Sequence, residues 1–170
     1  MSEQLSKSTA ADASTASEFA NDSRADKARL LHLCLPAEQI SLARVAEAVE
    51  ALGEAEAWPP KVRFHVDLVL EELVQNCVSY GYPDGRQGDV EVLIQRQGNT
   101  LVIVLEDDGD AFDPFQRAAP DLNLPLEERS IGGLGIHFTR TLMDDYRYRR
   151  VKGRNRIELR KSLQPGAGSA

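Results

Sequence analysis

The sequence predicts an α+β fold: a two-layer α/β sandwich in which three helices cover one face of a mixed, mostly antiparallel sheet. Two observations support this prediction. Strand-like and helical stretches follow one another in the order strand, two helices, two strands, long loop, helix, two strands. Such runs favour helices packed on one side of a sheet. The 170 residues also suffice to bury one core without disulfides or metal.

The first three elements are one strand and two helices. An apolar run at 29–35 has strand character and ends at a proline. Apolar residues at helical spacing, beginning with Ile40, predict a helix over about 38–53. Trp58, expected to pack between the helices, and two prolines then break the chain. A second helix is predicted over about 60–80, up to a glycine-rich turn.

The remaining elements flank a long irregular segment. Strands at 89–95 and 100–106 are predicted to form a hairpin across a Gly-Asn turn. The segment 107–131 has no sustained periodicity and contains three prolines. Loops of this length are usually functional lids or disordered. The last predicted elements are a helix at 135–144 and strands at 146–151 and 156–163.

Composition limits the classes of function. Residues 1–27 and 164–170 are predicted to be flexible tails around one domain at 28–163, and no secretory signal is recognised. The net charge of -7 disfavours nucleic acid as a direct partner. No apolar run is long enough to span a membrane, so a cytoplasmic protein is expected. Cys34 and Cys77 lie in apolar runs and are expected as reduced core thiols, and the three dispersed histidines predict no metal site.

Glu72 and Asn76 lie four residues apart on the second predicted helix, at one edge of its apolar stripe. Residues at this spacing share a helix face and point to the same region. The pair is compatible with an ordinary amphipathic boundary. It is equally compatible with a general base beside a neutral oxygen ligand for Mg²⁺, which needs few protein ligands because it keeps waters and substrate phosphates.

A carboxylate-rich segment follows the third predicted strand and begins at Asp107. An acidic residue followed two positions later by a glycine, here Gly109, is common in plain turns. The segment lacks the twelve-residue spacing and closing glutamate of a calcium loop. The remaining alternative is a carboxylate that accepts a hydrogen bond from an exocyclic amine of a nucleobase, with Gly109 allowing the backbone to approach closely.

The run Gly132-Gly133-Leu134-Gly135 ends the long loop and opens the third predicted helix. Small residues at a helix N-terminus leave backbone N–H groups available for phosphate, and the helix dipole helps. No Lys-Ser or Lys-Thr follows, as a Walker loop requires, and no first strand immediately precedes, as a dinucleotide fingerprint requires. A phosphate-binding turn and a glycine hinge without a ligand remain the two interpretations.

Taken in order, the three motifs resemble the nucleotide-binding boxes of the GHKL ATP-binding superfamily, which has the Bergerat fold. The resemblance is greatest to its small stand-alone anti-sigma-factor serine kinases, the RsbW-like group, and extends over about residues 30–163. It implies an ATP-dependent serine protein kinase and anti-sigma-type regulator in a partner-switching pathway. The implied cofactors are ATP and Mg²⁺.

The resemblance also implies a role for each motif. Glu72 would be the general base that takes a proton from a serine hydroxyl of a partner protein. Asn76 would coordinate Mg²⁺, Asp107 would bind the adenine amine, and Gly109 would permit close approach to the base. The expected cofactor-binding residues are Asn76, Tyr80, Asp107, Gly109, Phe112, Gly132, Gly133, Leu134, Gly135 and Asn155.

Further parts of the site follow from the same resemblance. Residues 115–130 would form an ATP lid, and main-chain N–H groups at 133–135 would hold phosphates. Cys77 stands where the family usually has alanine, and Tyr80 where it usually has histidine. The difference at Cys77 is a mild change, whereas the one at Tyr80 bears on the details of the phosphate or lid contacts.

The implied partners are proteins. One is a small anti-sigma-antagonist-like protein that is phosphorylated, another is a sigma factor or other regulatory protein that is bound, and a homodimer is expected. The alternatives are a nucleotide-gated module that sequesters a partner without efficient kinase activity, and a scaffold that has lost ATP. The basic residues of the last two strands form either a solvated sheet edge or a docking patch for an acidic partner.

Overall fold

A computed structural model describes residues 27–116 and 134–164, and within these ranges the chain forms one five-stranded sheet and three α-helices. Every predicted element is present, with bounds within two residues of those expected. The elements are β1 (Lys27–Pro36), α1 (Gln39–Ala55), α2 (Pro60–Tyr80), β2 (Asp89–Gln97), β3 (Thr100–Asp107), α3 (Leu134–Leu142), β4 (Asp145–Val151) and β5 (Arg154–Ser162).

The sheet has the strand order β1-β2-β3-β5-β4, and every pairing among the described strands is antiparallel. The predicted two-layer sandwich with a mostly antiparallel sheet is therefore confirmed, and the described strands contain no parallel pair. Hairpins account for two of the four pairings, because two-residue turns join β2 to β3 and β4 to β5. In the second turn Lys152 and Gly153 both have positive φ, 50° and 80°, the backbone that tight hairpin turns require.

The hydrophobic core lies between the sheet and the helices. The apolar stripe predicted on α2 is buried, and Trp58 is buried beside Gly53 of α1, so both expectations are confirmed. Alternate residues of three neighbouring strands complete the core, as period-two side-chain alternation requires. The strand residues of the core are Val90, Val92, Ile94, Leu101, Ile103, Leu105, Ile157 and Leu159.

Two expectations about burial are wrong. Ile40 is 58% exposed, because the buried stripe of α1 runs through Ser41, Val45 and Val49. Cys34 is exposed, because β1 alternates and its leucines at 31, 33 and 35 pack against the core instead. An apolar run in the sequence does not by itself tell which side chains face the helices.

The long segment after β3 begins with ordered structure. A single 3-10 turn at Pro114–Gln116 opens it, and the ring of Phe115 packs on Tyr146 with centroids 4.6 Å apart. The rest of the predicted lid, Gly132, Gly133 and nearly all of the two predicted tails lie outside the described residues. Among the described helices, none combines the length and the apolar character needed to cross a membrane.

Candidate functional site

A pocket of about 400 Å³ opens between α2 and the carboxyl end of β3. It brings together five of the residues singled out in the sequence, although they come from distant parts of the chain. Apolar residues such as Leu73 and Ile157 form part of its wall, and polar side chains converge beside them, as is common in sites for small molecules. The predicted site residues that line it are Asn76, Tyr80, Asp107, Phe112 and Asn155.

Asp107 is the last residue of β3 and is only 5% exposed. Its Oδ1 accepts hydrogen bonds from the Gly109 N–H at 2.9 Å and from Asn155 Nδ2 at 2.8 Å. Its Oδ2 accepts one from Cys77 Sγ at 3.3 Å. Burial, followed by the nearby carboxylate, raises the pKa of the Cys77 thiol well above its ordinary value, so the thiol stays protonated and donates. The carboxylate is thus held in one orientation.

Gly109 is required by the packing of the protein itself. A Cβ at this position would lie 2.7 Å from the carbonyl oxygen of Gly81 and 2.8 Å from Asp107 Oδ1. The next residue, Asp110, donates its N–H to the same Gly81 carbonyl at 2.8 Å. The close approach that the sequence predicted at Gly109 therefore includes the end of α2, and a nucleobase is not needed to account for the glycine.

Asn155 holds the loop that follows β3. It is buried and lies opposite Asp107 in the β3–β5 pairing. Besides its bond to Asp107, its Nδ2 donates to the carbonyl of Asp110 at 2.8 Å, and its Oδ1 accepts from the Phe112 N–H at 3.2 Å. One carboxamide thus fixes three points of the loop that lines the pocket.

Two residues that the sequence did not single out support this loop. Tyr148 donates its hydroxyl to Asn155 Oδ1 at 2.8 Å. Arg150 donates to the same oxygen and to the carbonyl of Gly109, each at 2.8 Å. Both residues lie on β4, and its run of alternating aromatic and basic residues was the only available signal, which did not distinguish these two from their neighbours.

Asp108 was also missed, and it points away from Asp107. It accepts hydrogen bonds from the Tyr82 hydroxyl at 2.8 Å, the Asp89 N–H at 2.9 Å and Arg86 at 2.9 Å. Although burial opposes the effect, these three donors hold the pKa of Asp108 well below its usual range. The residue therefore ties the start of the loop to the turn after α2.

Glu72 and Asn76 lie on successive turns of α2, where Asn76 lines the pocket and Glu72 contacts the start of α3. A Cβ on Gly135 would lie 2.6 Å from the Cβ of Glu72 and 2.9 Å from its Oε2, so the first turn of α3 packs directly on this carboxylate. Burial, with a smaller contribution from Glu71, raises the pKa of Glu72. The Nδ2 of Asn76 is buried and has no hydrogen-bond partner among the described residues.

The structure thus brings most of the predicted residues together. Glu72 and Gly135 contact each other, and the Gly109 N–H donates a hydrogen bond to Asp107. Tyr80 lines the pocket but is 56% exposed. Leu134 is the first residue of α3, and its side chain lies outside what the structure describes.

Curated relatives of the chain are bacterial protein kinases and anti-sigma factors by name. The serine/threonine-protein kinase BtrW of Bordetella bronchiseptica is 26% identical over 117 residues, which are 69% of this chain and 82% of that protein. The serine-protein kinase RsbW of Bacillus subtilis is 29% identical over 91 residues, 51% of this chain and 56% of that protein. The anti-sigma F factor of Clostridium novyi is 27% identical over 100 residues, 58% of this chain and 70% of that protein.

Two solved structures share the fold. The RsbU and RsbW domains of a Mycobacterium tuberculosis protein match 78% of this chain and 32% of theirs, at a TM-score of 0.57 and 16% identity. One chain in the structure of the SiaB–SiaC complex of Pseudomonas aeruginosa also matches 78% of this chain. That match covers 89% of the other chain, at a TM-score of 0.53 and 19% identity. The sequence model of the histidine kinase-like ATPase domain family matches residues 35–161 of this chain. Because this match covers well over half of the 170 residues, the chain belongs to the histidine kinase-like ATPase domain family.

Proposed function

We propose that this chain is an ATP- and Mg²⁺-dependent protein serine kinase that acts as an anti-sigma-type regulator and phosphorylates a small antagonist protein. The observation that carries the proposal is that Asp107 and Asn76 line one pocket, with Glu72 one helical turn from Asn76 on α2. The family is an ATPase domain by name, and the named functions of BtrW, RsbW and anti-sigma F factor support the narrower assignment.

Asp107 would recognise the adenine ring. Its Oδ1 already accepts two hydrogen bonds, from Gly109 and Asn155, so the exocyclic amine would donate to Oδ2. The apolar wall at Leu73 and Ile157 offers a surface for the flat base. Phe112, whose N–H is held by Asn155, would border the base at the pocket mouth. This arrangement favours a purine that carries an amine over one that carries a carbonyl at the same position.

Asn76 and the start of α3 would hold the phosphates. The Asn76 carboxamide fits a site for Mg²⁺ and phosphate, because it lines the pocket with a neutral oxygen that can bind the ion, and its buried Nδ2, which has no hydrogen-bond partner among the described residues, can donate to a phosphate oxygen. Its oxygen would be the single protein ligand, which suffices for an ion that keeps waters and phosphate oxygens. When bound, Mg²⁺ would neutralise charge on the phosphates. Backbone N–H groups at Gly132, Gly133, Leu134 and Gly135 would contact the phosphates at the helix N-terminus.

Glu72 would act as the general base. The serine Oγ of the antagonist would attack the γ-phosphorus, the bond from that phosphorus to the bridging oxygen of ADP would break, and Glu72 would take the hydroxyl proton. A carboxylate with a raised pKa is better matched to this step near neutral pH than an ordinary glutamate. Because Gly135 packs on Glu72, the base and the phosphate-binding turn would be held together.

The test compares Glu72→Gln with Glu71→Gln, its exposed neighbour on α2. Each variant is mixed with labelled ATP, Mg²⁺ and a candidate antagonist protein, and transfer of the label to serine is measured. We expect Glu72→Gln to lose at least about 100-fold in rate, a typical contribution of a general base, while Glu71→Gln transfers phosphate at neutral pH. Calorimetry should show that both still bind Mg²⁺-ATP. Undiminished transfer by Glu72→Gln would refute the assignment.

A nucleotide-gated binding module is the second candidate. It is favoured by Tyr80 and Cys77, which line the pocket at positions where the family that the sequence resembles usually has histidine and alanine. In this case the wild type would bind ATP and its partner but transfer phosphate slowly or not at all, and Glu72→Gln would leave partner binding unchanged. The partner itself, a sigma factor or another regulator, and a homodimer belong to the proposal in either form.

A further inference from the structure

Three side chains with metal-binding atoms meet on the face of the sheet that points away from the helices. His32 and Cys34 lie two residues apart on β1 and therefore share one face of the strand. Glu91 lies directly opposite Cys34 in the β1–β2 pairing. One nitrogen, one sulfur and one oxygen of these residues lie within 4.8 Å of one another. None of the three lines the pocket described above.

The separations are close to those of a tetrahedral zinc site. With Zn–N and Zn–O distances of about 2.0 Å and Zn–S of about 2.3 Å, the nitrogen and sulfur ligands lie about 3.5 Å apart and the nitrogen and oxygen ligands about 3.3 Å apart. Cys34 Sγ lies 3.7 Å from His32 Nε2, which already matches. His32 Nε2 lies 2.7 Å from Glu91 Oε1, so an ion would replace this hydrogen bond with a small side-chain movement.

The charges and the chemical softness of the ligands select the ion. A thiolate, a carboxylate and a neutral imidazole carry two negative charges, which balance one divalent cation. Thiolate and imidazole ligands suit Zn²⁺, whereas Mg²⁺ and Ca²⁺ prefer oxygen. His32 and Glu91 are about one-third exposed and Cys34 is exposed, so an ion can enter from solvent and the fourth position is open to water.

We propose that His32, Cys34 and Glu91 form a zinc-binding site on the outer face of the sheet, separate from the nucleotide pocket. β1 is an edge strand, with a partner only on the β2 side within the described sheet. An ion bound by residues of both strands would cross-link the edge strand β1 to β2. Because the site depends on the β1–β2 register, zinc would bind the folded chain in preference to the unfolded one and raise its melting temperature.

The test uses the full chain without an affinity tag, kept reduced. Zn²⁺ is titrated in competition with a chromogenic chelator, and Co²⁺ is used in parallel because a thiolate ligand gives it a charge-transfer absorption band. We expect one Zn²⁺ per chain. Cys34→Ala and His32→Ala should each weaken binding by more than about tenfold, since even residues that only support a ligand have effects of this size. The cobalt band should disappear in Cys34→Ala.

Control variants distinguish this site from zinc binding elsewhere on the chain. Glu158→Gln removes another carboxylate of the sheet that lies on β5, and it should leave zinc affinity unchanged. Cys77→Ala should keep the cobalt band, because Cys77 is buried on the other side of the sheet. Thermal melting of each variant without metal verifies that it folds. Zinc binding that survives both Cys34→Ala and His32→Ala, or no cobalt–thiolate band in the wild type, would overturn the proposal.

Discussion

At the scale of single residues, the two oxygens of the Asp107 carboxylate have different surroundings. Oδ1 is occupied by two donors from the protein, whereas Oδ2 accepts only the Cys77 thiol among the hydrogen bonds described. A thiol is a weak donor, so an adenine amine can displace it. Cys77, which stands where the family that the sequence resembles usually has alanine, thus donates to the carboxylate oxygen that we propose binds the adenine amine.

The Cys77→Ala variant tests this relation. Without the thiol, Oδ2 of Asp107 lacks its donor until nucleotide binds, and an unmade buried hydrogen bond costs about 1 kcal/mol or more. We expect the free protein to lose about 1–2 kcal/mol of stability and Mg²⁺-ATP affinity to rise by about fivefold. Calorimetry and thermal melting measure the two effects. Weaker binding with unchanged stability would mean that the thiol itself contacts the nucleotide.

The pH dependence of phosphotransfer depends on Glu72. The base acts only when ionised, and burial together with Glu71 raises its pKa. We therefore expect kcat/KM to fall with decreasing pH at a higher pH than an ordinary glutamate would give. Glu71→Gln removes the negative charge of Glu71, which is the second cause of the raised pKa. The fall of kcat/KM on the acidic side should therefore occur at lower pH in this variant than in the wild type. The measurement is a pair of pH–rate profiles, and identical limbs in the two proteins would contradict the assignment of this titration to Glu72.

At the scale of elements, local pattern was sufficient for most of the fold. Helix α2 was predicted with its observed bounds, because its apolar stripe and the flanking proline and glycine signals are all local. The pairing of β3 with β5 is not local: it brings Asn155 to Asp107 across 48 residues. No periodicity encodes that contact, and the support from Arg150 and Tyr148 was missed for the same reason. The exposed face of β1, with Cys34, was missed because an apolar run does not define its orientation.

Asn155→Ala tests how β5 supports the loop after β3. The substitution removes both donors and the acceptor of a buried carboxamide, leaving Asp107 and the Asp110 carbonyl with fewer partners. We expect a loss of about 2–4 kcal/mol in unfolding free energy, in the range for a broken buried network, and weaker Mg²⁺-ATP binding. Urea unfolding and calorimetry measure these effects.

A matched control for that substitution lies in the β2–β3 turn. Asn99 is exposed, so Asn99→Ala should change stability by no more than about 0.5 kcal/mol. If Asn155→Ala were equally harmless, the loop would be held by its other contacts, such as the bond from Arg150 to Gly109. A loss of stability without a loss of nucleotide affinity would separate the structural role of Asn155 from a role in binding.

At the scale of the whole molecule, one core connects the helices to the sheet. The buried cluster and the side chains packed against it extend from Leu30 to Leu163, and the family match at 35–161 lies inside this range. Both ranges fall within the predicted domain at 28–163, whose bounds stay a prediction. A single shared core favours one cooperative unfolding transition, since no described element can lose its packing without exposing its neighbours.

Nucleotide binding should therefore stabilise the whole chain and not only the pocket. At a concentration of Mg²⁺-ATP about 100 times its dissociation constant, mass action adds about 2.7 kcal/mol. For a chain of this length we expect the melting temperature to rise by about 5–10 °C. Asn76→Ala, which would remove the metal ligand, should show little or no rise at the same concentration. A second unfolding transition whose melting temperature does not change with ATP would mean that part of the described fold unfolds independently of the pocket.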